Sequence, residues 1–563
     1  SKRSAPVQDF KLGSWKAHGH LPLQAAILPL QTWQLPARQP QARFDSEALE
    51  LAVRESKPQA QAMQQWVKDQ AAETGTMHPD DFNALLLEAT TRFFPKQKSK
   101  PRTEHQVLQA THRLWRSISG KGDGRPRVSE EERLLHHQAV REAKKNRFKR
   151  FAAEVELHMQ HNPHVAYKSL KGLKAWEPMR RTQLQDSDGH PMTPEAELQA
   201  LSQHAEEVFA RLPEPPTPPH PRQIPLIDAE LLARQIATIK PGKAVPRGSA
   251  PAASWKLCSE QAGSNLSLFL QEHDRELPPT LKDADLCYIP KPGKPAVKPS
   301  ALRPLGILRP DAKGLAGAAK QMLEPTTEAF LRDTPQYAYL PGRSLQDALD
   351  RVVGHLRETA KACEQATRTR RQRMAGSKPP ALVGGMIFAL DLSQAFDTVD
   401  REALLRSLVA SGAPSQLTDL VAMLHEDAKY KVRAQGLEQS ISSTTGIKQG
   451  CKLAPTLFSL YTGHLLQQLA GVIGEKQVRR FITAYADDIT LHWRIRSWED
   501  LLKAQAAIGA LIRLLTKAGF TINPDKCAVL LRLAGTSAAR ARKLYCRANG
   551  PKARRDNRWH LGR

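Results

Sequence analysis

Long apolar runs are missing from this chain: no stretch approaches the ~18 consecutive apolar residues that a membrane-spanning helix needs, so no membrane partner is expected. Cysteine is scarce and scattered. The six, Cys258, Cys287, Cys363, Cys451, Cys527 and Cys546, show no CxxC pair and no Cys/His ligand spacing, which argues against a disulfide framework or a zinc site and suits a reducing compartment. Acidic residues are in deficit, with 57 Asp and Glu against 83 Lys and Arg and a formal charge of +26. That balance implies a polyanionic partner, nucleic acid before any other. The start, SKRSAPVQDF, has no initiator Met and no secretory signal pattern, so the expectation is a soluble fragment or internally cut chain that stays inside the cell. Its 563 residues leave room for about three or four domains of ~150 residues.

What the sequence does hold is Phe481 to Trp493, FITAYADDITLHW. Apolar residues flank two adjacent carboxylates, Asp487 and Asp488, a pattern that predicts a β-hairpin with both acids at its tight turn. Adjacent acids repel, and a hard divalent ion that prefers oxygen ligands relieves the repulsion. By itself an Asp-Asp turn is more often plain turn chemistry than a ligand pair. Upstream, Met386 to Leu392 (MIFALDL) has strand composition, and Asp391 interrupts the apolar run where an unpaired carboxylate is costly. Pairing this strand beside the hairpin brings Asp391 close to Asp487 and Asp488. Three carboxylates suffice to hold two Mg²⁺ ions about 3.5 to 4 Å apart, with Mn²⁺ an alternative, the arrangement that activates a hydroxyl and stabilises a leaving pyrophosphate.

Between the acidic segments lies Gly446-Ile447-Lys448-Gln449-Gly450-Cys451-Lys452-Leu453-Ala454-Pro455. Its glycines permit close backbone approach and Pro455 suits a first helical turn, so a loop feeding a helix through Leu457, Leu460, Leu465 and Leu469 is predicted.

The order of DLSQAFDTVD, GIKQGCKLAPTLFSLY and AYADDI resembles the palm motifs of reverse transcriptases, in wording nearest to non-LTR (LINE-like) retrotransposons. The resemblance implies that Asp391, Asp487 and Asp488 are the metal-binding acids and that Phe396 is the aromatic gate that excludes a ribose 2′-hydroxyl. It implies that Gln449 and Gly450 contact incoming nucleotide and template. Tyr288-Ile289-Pro290-Lys291-Pro292-Gly293-Lys294 and Leu302-Arg303-Pro304-Leu305 are similar to two finger strands, in which Lys291 and Arg303 clamp the triphosphate. Gln336 to Ser344 resembles a turn that starts a helix and helps hold template, with Arg343 meeting a phosphate or pairing with an acid. Phe520 to Cys527 resembles the fourth palm motif, which makes Lys526 the candidate proton donor near pyrophosphate.

The rest of the chain divides by composition. Residues 1–45 hold His18-Gly19-His20-Leu21-Pro22-Leu23, similar to the last strand of the family's endonuclease, and are expected to be a remnant of it or disordered. Residues 46–185 predict a basic helical region, with a capping pattern at Ser129 and Glu132 and a basic run from Lys144 to Arg150. Residues 186–225, with a proline cluster from Pro213 to Pro221, predict a linker. Fingers and palm are expected over 226–535, interrupted at Lys361 to Pro380 by a polar insertion that predicts a mobile loop, and a basic tail over 536–563.

The expected fold class is therefore α+β: a right-hand polymerase's fingers and palm, an antiparallel sheet with packed helices, behind a basic helical extension and with a missing or abbreviated thumb. The expected activity is RNA-directed DNA polymerisation, with RNA template, DNA primer or target, and dNTPs as partners. Two rivals stand beside it. One is a truncated, inactive remnant that binds nucleic acid through its basic surface, and the other an RNA-dependent RNA polymerase, against which Phe396 speaks. A nuclear or cytoplasmic location is expected, nuclear by family implication.

Overall fold

The computed structural model describes residues 44–96, 130–161, 184–211, 222–291 and 293–546, together with the backbone of two short strands, β1 (Val7–Leu12) and β2 (Leu23–Ile27), which pair antiparallel. The HGHLPL motif and the proline cluster at 213–221 lie outside the described residues. The chain forms two compact units, one of residues 1–94 with 184–563 and one of residues 95–183. In the second unit the described element is the long helix Glu130–His161. It exposes Lys145, Lys149 and Arg150, and also Leu134, Phe148, Leu157 and Met159.

In the first unit, three helices precede the polymerase-like region: Ser46–Arg54, Pro58–Thr74 and Pro79–Phe93. Asp45 caps the first through the Ala48 N–H, and prolines occupy the first turns of the other two, where a missing N–H costs nothing. Their apolar faces, Leu49, Met63, Phe82 and Leu86, meet Ile236, Trp255 and Cys258. Buried amides are matched across this contact: Asn83 accepts from the Ala250 N–H and donates to the Gly248 carbonyl, and Asn265 does the same with both backbone groups of Met77. The expected single helical region over 46–185 is thus corrected. Residues 46–94 belong to the first unit because their apolar stripe has its partner there.

The expected linker over 186–225 is corrected as well. Thr193 caps a helix, Pro194–Phe209, whose Leu201, Ala205, Val208 and Phe209 enter the main core. Prolines crowd only the chain that follows, so the linker reading extended their influence too far upstream.

Two four-stranded sheets carry the rest. The palm sheet has the order β12 (Ala528–Ala534), β5 (Val383–Leu390), β10 (Asp488–Ile495), β9 (Ile482–Tyr485), antiparallel throughout. The fingers sheet has the order β4 (Leu302–Ile307), β3 (Ala284–Pro290), β7 (Lys429–Ala434), β8 (Leu437–Ser442), with β3 and β7 parallel. One continuous core runs through both, from Leu286 and Val432 to Phe388, Phe458 and Leu491. The helix Leu345–Ala366 starts at a Ser344/Asp347 capping box and packs against the palm strands. It corrects the expected mobile loop at 361–380. The helix continues to Ala366, and Thr369 and Gln372 form a second capping box on the helix Arg370–Met374.

Candidate active site

The β9–β10 hairpin closes with Tyr485 opposite Asp488, which leaves Ala486 and Asp487 as its two turn residues. Ala486 has φ 55°, a left-handed conformation that costs a residue with a Cβ about 1 kcal/mol or more. A fully buried side chain holds it there. Gln336 Oε1 accepts from the N–H groups of Ala486 at 3.2 Å, Tyr337 at 3.0 Å and Ala338 at 3.1 Å, and its Nε2 donates to Thr462 Oγ1 at 2.9 Å. Sequence reading placed this residue in a template-holding block and missed its contact with the acidic turn. Arg343, of the same block, donates to the carbonyls of Leu331, Arg332, Thr334 and Gln336.

Strand β5 lies beside β10 with Leu390 opposite Ile489, so Asp391 and Asp488 follow one another off the same end of the ladder. Burial and the nearby charges of Asp487 and Asp391 raise the pKa of Asp488, while Lys526 lowers it. All three acids therefore sit in one field. Asp391 Oδ2 is buried and accepts no hydrogen bond among the described residues, and the Lys526 ammonium stands 3.2 Å from it in an ion pair. Lys526 is brought there by β11 (Thr521–Ile522), which pairs with β6 (Leu392–Ser393), and by a hydrogen bond from the Asn523 N–H to the Asp391 carbonyl at 3.0 Å. Carboxylates that repel one another, one of them held by a single exposed ammonium, are a donor set that fits divalent cations. A second oxygen-rich group, Asp186, Asp188 and His190, is exposed and far along the chain. There Asp186 Oδ1 accepts from the Asp188 and His190 N–H groups, which is ordinary turn chemistry.

Cations gather near these acids. Burial and the charges of Lys294, Arg303 and Lys526 lower the pKa of Lys291, and Asp397 partly restores it, so finger and palm cations face a common space. Lys291 Nζ donates to the Ser300 carbonyl at 2.8 Å. Arg303, opposite Ile289 in the β3–β4 hairpin, is exposed. Phe396 is half-buried and stacks on the buried Phe458, with centroids 4.3 Å apart and planes 15° apart.

The loop before the helix Ala454–Ile473 is wedged between these parts. At Gly450, with φ 108°, a Cβ would come within 2.3 Å of the Gly306 carbonyl oxygen in β4. At Gly446 it would meet the Asp397 carbonyl oxygen at 2.5 Å. Gln449 accepts from the Gly306 N–H at 2.8 Å, and its side-chain Nε2 lies 2.8 Å from both carboxylate oxygens of Asp397. Its neighbour Lys448 points the other way, buried, and donates to the carbonyls of Lys282 and Leu424; burial pushes its pKa down to about 7. Asp397 escaped sequence reading, although it stands one residue after Phe396. Of the three acids in DLSQAFDTVD, Asp400 caps the helix Arg401–Ala410, and nothing local separates such a cap from a buried site carboxylate.

Acids gathered at the end of a palm sheet, with the cations of a fingers hairpin within reach of the palm's Lys526, form the arrangement that a nucleotidyl-transferring polymerase domain requires. Residues 289–552 match the family described as reverse transcriptase (RNA-dependent DNA polymerase). The chain is 28% identical over 310 residues to the RNA-directed DNA polymerase from mobile element jockey of Drosophila funebris, covering 54% of this chain and 31% of that protein. It is 32% identical over 142 residues to the Pol polyprotein of the type-2 retrotransposable element R2DM of Drosophila melanogaster, covering 24% and 13%. Among solved structures, apo telomerase from Candida Tropicalis truncated from its C-terminal domain aligns over 87% of this chain and 92% of that one, at 11% identity and a TM-score of 0.34. Residues 289–552 thus align with a reverse transcriptase domain, and the two relatives are a mobile-element polymerase and a retrotransposable-element polyprotein. The chain spans about a third or less of the length of these two curated relatives.

Proposed function

We propose that this chain adds deoxynucleotides to a primer 3′-hydroxyl on an RNA template, with Asp391, Asp487 and Asp488 binding two Mg²⁺ ions. The observation that carries the reading is the strand register that brings Asp391 and Asp488 to the same end of paired strands, beside the turn that holds Asp487. Divalent cations, when bound, supply the charge that eases ionisation of the attacking hydroxyl and departure of pyrophosphate. Lys291 and Arg303 orient the triphosphate and offset the charge that develops on it. Lys526 holds Asp391 in place and carries the proton that the leaving group would take up. Phe396, backed by Phe458, limits the room beside the sugar. The exposed cations on the helix Glu130–His161 supply affinity for a nucleic-acid backbone, independent of sequence. A DNA target implies work in the nucleus.

The test is primer extension on a primed RNA template with Mg²⁺, against an Asp487→Ala control; equal extension by the two sinks the reading. A measurement without turnover accompanies it. Millimolar Mg²⁺ is expected to raise the melting temperature of the wild type and to leave Asp391→Asn/Asp487→Asn unmoved, because a ligand stabilises only a fold that binds it.

A further inference from the structure

We propose that Asp397 is a positioning residue for the incoming nucleotide: by clasping the side-chain amide of Gln449 it fixes which end of that amide faces the nucleotide site. The inference rests on the polymerase reading above and adds to it a residue that neither touches the nucleotide nor binds metal.

The geometry is specific. Asp397 is 2% exposed and has both oxygens 2.8 Å from the same nitrogen of Gln449. The backbones on either side are joined as well, by hydrogen bonds from the Gly446 N–H to the Val399 carbonyl and from the Ile447 N–H to the Phe396 carbonyl, both 2.9 Å. The Gln449 backbone carbonyl is occupied by the Gly306 N–H of β4. Backbone and amide nitrogen are thus engaged, and the amide oxygen is the end left to the site. An amide has a donor end and an acceptor end of nearly equal shape, and only its partners decide which points where. With the nitrogen turned into a carboxylate, Gln449 presents an acceptor to a donor group on the nucleotide. Asp397 is also the next residue after Phe396, so one buried carboxylate ties the aromatic gate to the nucleotide loop.

The clasp depends on the charge of Asp397. The groups that face it are Gln449, Lys291 from the end of β3, and Tyr430 from β7, whose own pKa burial raises so far that it stays neutral. Burial pushes the Asp397 carboxyl up to about 7, against the opposing pull of Gln449 and Lys291. Above that pH the carboxylate accepts only, and the amide nitrogen must face it. Below, a protonated carboxyl offers a donor on one oxygen beside an acceptor on the other, so it no longer dictates which end of the amide faces it, and the acceptor end is no longer held toward the nucleotide site.

The experiment is steady-state primer extension from pH 6.0 to 8.5, with KM for dNTP and kcat separated, for wild type, Asp397→Asn, Gln449→Met and the double variant. In the wild type, KM is expected to rise as pH falls through about 7. Asp397→Asn offers a donor beside an acceptor at every pH, so it lacks the charge and no longer dictates the amide's orientation; it is expected to raise KM about tenfold at pH 8, with no step near pH 7, the size of one lost charge-assisted hydrogen bond. Gln449→Met should show the same raised, flat KM, and the double variant should be no worse than either single, since both break one contact. Titration of the nucleotide is common to all four proteins and cancels in their ratios. A residue that merely packs would alter stability but leave the pH step in place. A wild-type KM with its step intact in Asp397→Asn overturns the clasp. If that variant fails to fold by thermal melt, the Gln449→Met profile decides in its stead: flat supports the clasp, a retained step overturns it. Extension by the wild type with unchanged variants defeats the clasp alone; no extension by the wild type defeats the polymerase reading and the clasp with it.

Discussion

Gln336 and Ala486 lie 150 positions apart and are joined by a hydrogen bond from the Ala486 N–H to Gln336 Oε1 at 3.2 Å. That bond is one of three backbone N–H groups gathered on a single buried oxygen at the turn that presents Asp487. Gln336→Ala would leave them without an acceptor, and each orphaned buried donor costs about 1–3 kcal/mol. The expected result is a loss of roughly 2–4 kcal/mol in urea unfolding. Ala486→Gly removes the penalty on the positive φ and should cost less than 1 kcal/mol or stabilise, whereas Ala486→Val should destabilise by about 2 kcal/mol. Equal effects of the glycine and valine variants would show that the turn carries no strain.

Lys526 is mostly exposed and reaches Asp391 across 135 positions. An exposed ion pair contributes little to stability, about 0–1 kcal/mol, so Lys526→Ala should melt close to the wild type. Its rate should fall much further. Removal of a general acid costs about 10²–10⁴-fold, and single-turnover extension is the measurement. Lys526→Arg keeps the charge but not a transferable proton, and is expected to restore folding and binding without restoring rate. Full activity in Lys526→Ala would remove the residue from the chemistry.

Phe396 packs face to face on Phe458, which in turn meets Phe520 edge-on at 6.3 Å. The ring is thus held from behind and cannot retreat from a bulky sugar. Phe396→Val is expected to lose the preference for dNTP over rNTP at a stability cost of about 1–3 kcal/mol, smaller than for a fully buried Phe. Competition between the two nucleotide classes on one template reads the preference directly. Retained discrimination would assign the gate to another group.

Much of this site was legible before any coordinates. Asp391, Asp487 and Asp488 are acids where apolar strands end, and alternation and turn chemistry are local signals, so the strand and the hairpin could be read directly. Lys291, Arg303, Lys526, Phe396, Gln449 and Gly450 came through resemblance, and the structure brings the three cations toward one space while it seats Gln449 and Gly450 against β4. Gln336 and Asp397 were not legible. Their importance lies in partners 150 and 52 positions away, and a buried amide or carboxylate has no periodicity to betray it. The same reason hid the place of residues 46–94. Their helices are plain in sequence, but that Trp255 and Ile236 cover them is a tertiary fact.

The last prediction concerns acid. His492 in β10 and His355 in the helix Leu345–Ala366 lie with ring centroids 5.4 Å apart where that helix packs on the palm sheet. Burial first, and the neighbouring His355 and Arg351 next, push the pKa of His492 down to about 3, and burial lowers that of His355 as well. An unfolded histidine takes its proton near pH 6.5, so between pH 6.5 and about 3 the unfolded chain binds protons that the folded chain refuses. The stabilisation is therefore whole above pH 6.5 and drains as pH falls, by up to ~1.4 kcal/mol per pH unit for each such group. For His492 alone that amounts to about 2 kcal/mol at pH 5. His492→Gln keeps a partner for Thr483 Oγ1, 2.9 Å away, and removes the titration. Urea unfolding at pH 7.5 and pH 5.0 should therefore show a smaller acid loss for His492→Gln than for wild type, by roughly 1–2 kcal/mol. The carboxylates contribute equally to both proteins, and an identical loss in the two would mean that His492 accepts its proton in the folded state.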